Sequence, residues 1–175
     1  MRGAERLAAV DKSVAPMAAA LPDLPMDETI MVRLLRICVV GLGQFFEPVF
    51  RHMGLSESSF HVLCLLMAEQ DGEAPPAKLS ELIGASRAHM SQIVDVLSRD
   101  SLVERISDPN DARRHSVRIT SSGRARTQKG LRDFAAPMQR AFAGLNADEF
   151  AQLAALLRKA VISFDNDAFE PQRDT

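Results

Sequence analysis

Asp111, Arg113 and Arg114 crowd into four consecutive positions, and Arg118 follows four residues later. Immediately before the arginines, Asp108-Pro109-Asn110-Asp111 has the composition of a tight turn. Arginine is always charged and offers a planar fork of donors that matches phosphate and carboxylate oxygens. Two arginines side by side at an exposed turn repel each other and add nothing to stability, so the arrangement is that of an anion contact. The surrounding charge agrees. Between Arg99 and Arg132 nine basic residues stand against four acidic ones, a local +5, while the rest of the chain carries −7 and the whole −2. A basic segment on an acidic body fits a directed contact with a polyanion.

Few other residues offer chemistry. His52, His61, His89 and His115 are scattered, and together with Cys38 and Cys64 they match no metal-ligand spacing. No nucleophile–base set or phosphate-binding loop is present, so neither an enzyme nor a cofactor is expected. Cys38 and Cys64 lie in apolar helical stretches and read as small buried hydrophobes; two cysteines are too few for a disulfide framework. Glu5, Asp11 and Lys12 interrupt the short apolar runs near the N-terminus, so no signal peptide is read there. No stretch of about twenty apolar residues is counted that would span a bilayer, and a cytoplasmic location without membrane contact is expected.

The elements that position the arginines follow from periodicity and turn residues. Residues 1–27 are rich in Ala and Pro; Pro16, Pro22 and Pro25 are expected to prevent one continuous helix, leaving a partly ordered extension. Over 28–54, Met31, Leu35, Cys38, Leu42, Phe45 and Val49 repeat at helical spacing, and Gly41, Gly43 and Pro48 predict a bend or a close helix crossing. Gly54-Leu55-Ser56 ends this helix. Ser56 is placed to cap the next, over 57–69, whose apolar residues wrap most of the way round as in a buried helix. A short helix over 77–83, with Leu79, Leu82 and Ile83 inward, then meets a Gly84-Ala85 turn, and Ser86 caps a second helix over 87–99. This is a helix-turn-helix.

In its second helix Met90, Ile93, Val94 and Leu97 point to the core. The opposite face carries Arg87, Ala88, His89, Ser91, Gln92 and Asp95, small or hydrogen-bonding side chains suited to a major groove. Residues 102–107 and 116–120 read as strands, the second from the alternation of Val117 and Ile119 with Ser116, Arg118 and Thr120. A hairpin with arginines at its tip, directly behind a helix-turn-helix, is a wing. A helix over 122–142 with a Leu131, Phe134, Ala135, Met138, Phe142 stripe should be kinked by Pro137. The last helix begins at Asn146, capped reciprocally with Glu149 and stapled by Leu145 and Phe150. The fold class is therefore mainly α with a small β-wing: a winged helix-turn-helix over 55–120 between helical regions at 28–54 and 121–165, with a tail at 166–175. A compact winged domain does not need so much apolar helix, and the surplus predicts a homodimer interface.

With these elements in order, three segments carry a family likeness. They are Leu97-Ser98-Arg99-Asp100-Ser101-Leu102-Val103-Glu104-Arg105, Asp108-Pro109-Asn110-Asp111-Ala112-Arg113-Arg114, and Val117-Arg118-Ile119-Thr120-Ser121-Ser122-Gly123. In sequence they resemble the recognition-helix end, Asp-x-Arg wing and Leu-Thr-x-x-Gly helix entry of the multiple antibiotic resistance regulator (MarR) family. The likeness runs over about 28–164. Ile119 replaces the usual Leu, a volume-conserving swap; Ser101 stands where the family often has Gly, which implies a slightly strained helix end.

The resemblance implies a triangular homodimer whose two recognition helices enter successive major grooves of a pseudo-palindromic site in double-stranded DNA. It implies that Arg113 enters the minor groove, held by a charge-assisted hydrogen bond to Asp111, while Arg114 and Arg118 contact phosphates. His89, Ser91 and Gln92 are the candidates for base edges, Gln pairing bidentately with adenine, and Ser86 and Arg87 begin the same helix. Family members commonly respond to small aromatic or phenolic compounds, oxidants or metal ions. A small-molecule effector is thus implied between the first two helices and the winged domain, with Phe45, Phe46, His61 and Cys64 as candidate lining; these residues would serve equally as core. The expected protein is a repressor released by such a ligand. Two alternatives stay open: a redox-sensing regulator acting through Cys38 or Cys64, which would need an electropositive, part-exposed thiol, and a winged-helix protein–protein adaptor that never touches DNA.

Overall fold

The computed structural model describes residues 3–108 and 111–166, and of 108, 111–114, 165 and 166 the backbone alone. The chain divides into two units, Met1–Pro137 and Met138–Thr175. The elements in order are α1 (Gly3–Ala20), α2 (Met26–Met53), α3 (Glu57–Ala68), β1 (Glu73–Ala74), α4 (Pro76–Ile83), α5 (Arg87–Arg99), β2 (Val103–Asp108), β3 (Asp111–Ile119), α6 (Ser121–Ala141) and α7 (Ala147–Asn166).

The N-terminal segment corrects the sequence expectation of a partly ordered extension: it forms an 18-residue helix that runs through Pro16. A proline removes one intrahelical bond, but contacts on either side of it hold the turn. Arg33 Nη1 on α2 donates to Ser13 Oγ at 2.6 Å and approaches Met17 Sδ at 3.6 Å. Arg6 Nη2 donates to Gln44 Oε1 at 3.0 Å, so α1 lies antiparallel along α2. Pro22 and Pro25 do separate the two helices.

α2 is continuous through Pro48. An added Cβ at Gly41 or Gly43 would meet nothing within 4 Å, so the expected close crossing is not made among the described residues. Its buried residues are Phe46, Phe50 and Met53, whereas Met31, Leu42 and Phe45 of the expected stripe are exposed, as are Val32, Val39 and Val40. By length and composition α2 could cross a membrane, with an 18-residue window of mean hydropathy 1.6. The expectation that no such stretch exists is thereby corrected: Arg33 and Arg36 are too few to offset the surrounding apolar residues. The helix ends in a left-handed Gly54 (φ 62°), with Gly54 N–H donating to Arg51 O and Leu55 N–H to Phe50 O. Arg126 Nη2 donates to the Met53 carbonyl just before it.

The core of the first unit joins Val62, Leu63 and Leu66 of α3, Leu79 of α4, Met90, Ile93, Val94 and Leu97 of α5, and Val103, Val117 and Ile119 of the sheet, all buried. Each contributes roughly 1.5–3 kcal/mol by leaving water. Leu82, expected inward, is half exposed; Leu79 and Ser80 are the buried residues of α4, and Ser80 Oγ is satisfied by the Pro76 carbonyl. Beside this core, Phe46, Phe50, Phe60 and Phe134 form an aromatic cluster with ring centroids 4.9–6.4 Å apart. Gly130 permits the approach, since a Cβ there would stand 2.7 Å from Phe60 Cε2.

The sheet is three-stranded and antiparallel in the order β1-β3-β2. β1 was not expected, and β3 begins at Asp111 rather than at 116. α6 enters directly from β3. Thr120 Oγ1 accepts from Gly123 N–H at 3.0 Å and donates to the Ser101 and Leu102 carbonyls at 2.8 and 3.1 Å. α6 runs through Pro137, where a kink was expected. In the second unit, the Asn146 side chain accepts from Glu149 N–H at 3.0 Å while Glu149 accepts from Asn146 N–H at 2.8 Å, the reciprocal cap read from the sequence. At this cap Phe150 meets Phe142 edge to face, centroids 5.4 Å apart.

Candidate nucleic-acid interface

α5 is built to present one face. Gly84 closes α4 in the left-handed conformation (φ 66°) with Ala85 N–H donating to Ser80 O at 2.9 Å, and this tight end turns the chain. Ser86 then caps α5, its Oγ accepting from His89 N–H at 3.2 Å. With Met90, Ile93, Val94 and Leu97 packed inward, Arg87, Ala88, His89, Ser91, Gln92 and Asp95 are all exposed on the other side. The N-terminal half of that face holds donors and a cation, where the helix dipole also favours anions.

Beside α5 the hairpin rises antiparallel, with Val103 opposite Ile119 and Ser107 opposite His115. The next step pairs Asp108 with Asp111, a register shift in which one residue of β2 spans four of β3. Ala112, Arg113 and Arg114 fall within that shift, an irregularity of the kind that re-aims a strand next to a functional surface. The backbone of Asp111, Arg113 and Arg114 is thus in β3, while their side chains lie outside the described residues, as do Pro109 and Asn110 altogether. Between α4, α5 and the hairpin lies a cleft of about 960 Å³ with Arg87, Ser91, Arg105, Ser107 and His115 along its walls.

Among the described residues, two guanidinium groups of the basic segment pair with carboxylates of the protein. Arg105 Nη2 of β2 pairs with Asp95 Oδ1 of α5 at 2.5 Å, neutralising the one acidic residue on the exposed face of the helix. Arg118 Nη2 lies 2.7 Å and Nε 2.9 Å from Glu73 Oε2, and its Nη1 lies 3.6 Å from Glu104 Oε1. Arg118 was expected on a phosphate; here it stands between two carboxylates. Neither pairing was legible, because the partners lie on different elements, ten to forty-five residues apart.

The four residues read as effector lining stand in different settings. Phe46 belongs to the aromatic cluster, Phe45 meets it edge-on at 5.0 Å with much of its own surface open, His61 is exposed, and Cys64 is half-buried. Burial pushes the Cys64 thiol up from its ordinary value, away from the thiolate a redox sensor uses. Cys38, expected to be buried, is exposed on the open face of α2.

Comparison with known proteins places this arrangement. The MarR family model matches residues 55–115, from the start of α3 into the wing. The chain is 30% identical over 163 residues to the transcriptional repressor NicR of Pseudomonas putida, covering 90% of this chain and 99% of that protein. It is 31% identical over 90 residues to the repressor YetL of Bacillus subtilis, covering 51% of this chain and about half (54%) of YetL. Among solved structures, Escherichia coli MarR C80S complexed with operator DNA superposes with a TM-score of 0.69 at 22% identity, over 82% of this chain and 96% of that one. Bordetella bronchiseptica BpsR, studied for regulation of its DNA binding by 6-hydroxynicotinic acid, gives 0.69 at 24% identity, over 75% and 98%. The capped α5, the hairpin behind it and the near full-length match to NicR lead to one conclusion: this chain belongs to the MarR family of DNA-binding transcriptional regulators.

Proposed function

We propose that the protein is a cytoplasmic repressor that binds a pseudo-palindromic DNA site as a homodimer and is released by a small aromatic ligand. The observation that carries the DNA reading is the exposed, uncored face of α5, with Ser86, Arg87, His89, Ser91 and Gln92 presented beside the hairpin. Ser91 and Gln92 read base edges, Arg87 and Arg114 take phosphates, and Arg113 enters the minor groove with Asp111 as its holder. The dimer reading rests on the open apolar face of α2, where Val39 is 70% exposed, and on Leu156, Val161, Ile162 and Phe164 of α7, exposed within their own unit. An apolar surface of that extent on a soluble regulator is covered by a partner. The ligand reading is supported by the likeness to BpsR, whose DNA binding is regulated by 6-hydroxynicotinic acid.

A mobility-shift titration against duplexes selected by the protein from a random library tests the proposal. Arg113→Ala weakens binding at every selected site, and Val39→Asp yields a monomer by light scattering that no longer retains DNA. A panel of hydroxylated aromatic acids, 6-hydroxynicotinic acid included, releases the complex with at least one member. An Arg113→Ala variant binding as tightly as the parent would refute the wing assignment.

A further inference from the structure

The position of Arg118 assigns it a role different from DNA contact. β1 is only Glu73–Ala74, paired with β3 at Glu73↔Arg118 and Ala74↔Val117, and it leads through Pro75 and Pro76 straight into α4. β2 comes straight from α5 and places Glu104 opposite the same Arg118. One guanidinium therefore reaches a carboxylate on the strand before the helix-turn-helix and another on the strand after it. Arg118 is held at the base of the wing, five residues along β3 from Arg113.

We propose that Arg118 is a positioning residue for DNA binding. It clamps the two ends of the helix-turn-helix through Glu73 and Glu104, and so fixes the wing relative to α5, without touching DNA itself. The inference rests on the DNA-binding reading above. Glu73 has about a quarter of its side chain exposed and Arg118 under half, so the Glu73 arm is the better shielded. A two-residue strand has few backbone bonds of its own: Ile119 N–H donating to Gly72 O at 2.9 Å extends the pairing by one, and the ion pair supplies the rest. With both carboxylates engaged, the net charge of the triad is −1, which is the wrong sign for a phosphate contact.

The test uses the full-length protein and a duplex that the unaltered protein selects, titrated by fluorescence anisotropy between about 50 and 200 mM salt. Arg118→Met should weaken binding by roughly two- to fivefold, the scale of a part-exposed ion pair, with the slope of log affinity against log salt unchanged. Glu73→Gln should also weaken binding. A slope that falls by about 0.9 in Arg118→Met marks a lost phosphate contact and overturns the clamp. So does tighter binding by Glu73→Gln, expected if that carboxylate merely competed with phosphate for Arg118, and so does parental affinity in Arg118→Met. If Arg118→Met does not fold, by circular dichroism, the sign of the Glu73→Gln effect decides. Failure of the unaltered protein to select any duplex overturns the DNA-binding reading itself, and the clamp with it.

Discussion

Replacing Gly123 by alanine should destabilise the protein more than replacing Gly84, although only Gly84 has a backbone that disfavours other residues. Gly123 sits in the first turn of α6, where an added Cβ would stand 2.1 Å from the Leu102 carbonyl oxygen and 2.8 Å from Ile119 Cγ1. The first distance is about 1 Å inside an ordinary carbon–oxygen approach of roughly 3.3 Å. The obstacle is backbone, so no rotamer relieves it: α6 has to move off Leu102, at the entry to β2. That movement stretches the bonds from Thr120 N–H and Oγ1 to the same carbonyl, now 3.0 and 3.1 Å. Overpacking costs about 1–3 kcal/mol and each weakened bond up to about 1 kcal/mol, while better helix propensity returns at most about 1 kcal/mol. The net loss is about 2–3 kcal/mol. At Gly84 (φ 66°) a Cβ meets nothing within 4 Å, so only the left-handed backbone opposes alanine, at about 1–2 kcal/mol. Urea unfolding followed by circular dichroism, at one protein concentration, measures both. If Gly123→Ala costs less than Gly84→Ala, steric contact with Leu102 is not why a glycine stands there.

Ser101 has a positive φ of 58° without being glycine, so Ser101→Gly should raise stability by about 1 kcal/mol in the same urea assay, with DNA affinity unchanged. Ser86→Ala removes the oxygen that accepts from His89 N–H, which should cost about 1 kcal/mol of stability and weaken DNA binding through a frayed start of α5. In a Cys38→Ser background, Cys64 should alkylate more slowly than free cysteine at pH 8. Burial favours its neutral thiol, so the midpoint of its rate–pH profile should lie above that of the free amino acid; a midpoint at or below it would restore Cys64 as a sensor.

The exposed polar face of α5 was legible because its periodicity is clean: four buried apolar residues leave a single polar stripe, and Ser86 and Gly84 mark its start and its approach. The reciprocal cap at Asn146 was legible for the same local reason. α2 was misread because it is apolar on two faces. Phe46 and Phe50 turn to the aromatic cluster while Leu42 and Phe45 stay open, and spacing alone gives both stripes equal weight. α1 was missed because a proline argues against a helix until Arg33, on another element, is known to brace the turn around it. β1 is too short to show alternation, and without it the carboxylates around Arg118 cannot be foreseen.

Both strands that flank the helix-turn-helix, β1 and β2, are bonded to the same strand β3. The segment from Glu73 to Ile119 is therefore closed at its ends, like a loop tied in a knot of backbone bonds. Neither α4 nor α5 can open to solvent by peeling from one terminus; each must wait for β3 to release its neighbours. Amide protons of Leu79, Val94 and Val117 should then exchange through one shared opening of high free energy. Those of α1, held to α2 by a few side-chain bonds, should exchange through a separate and easier one. Tight coupling of this kind would make the helix-turn-helix respond to any disturbance as a single body.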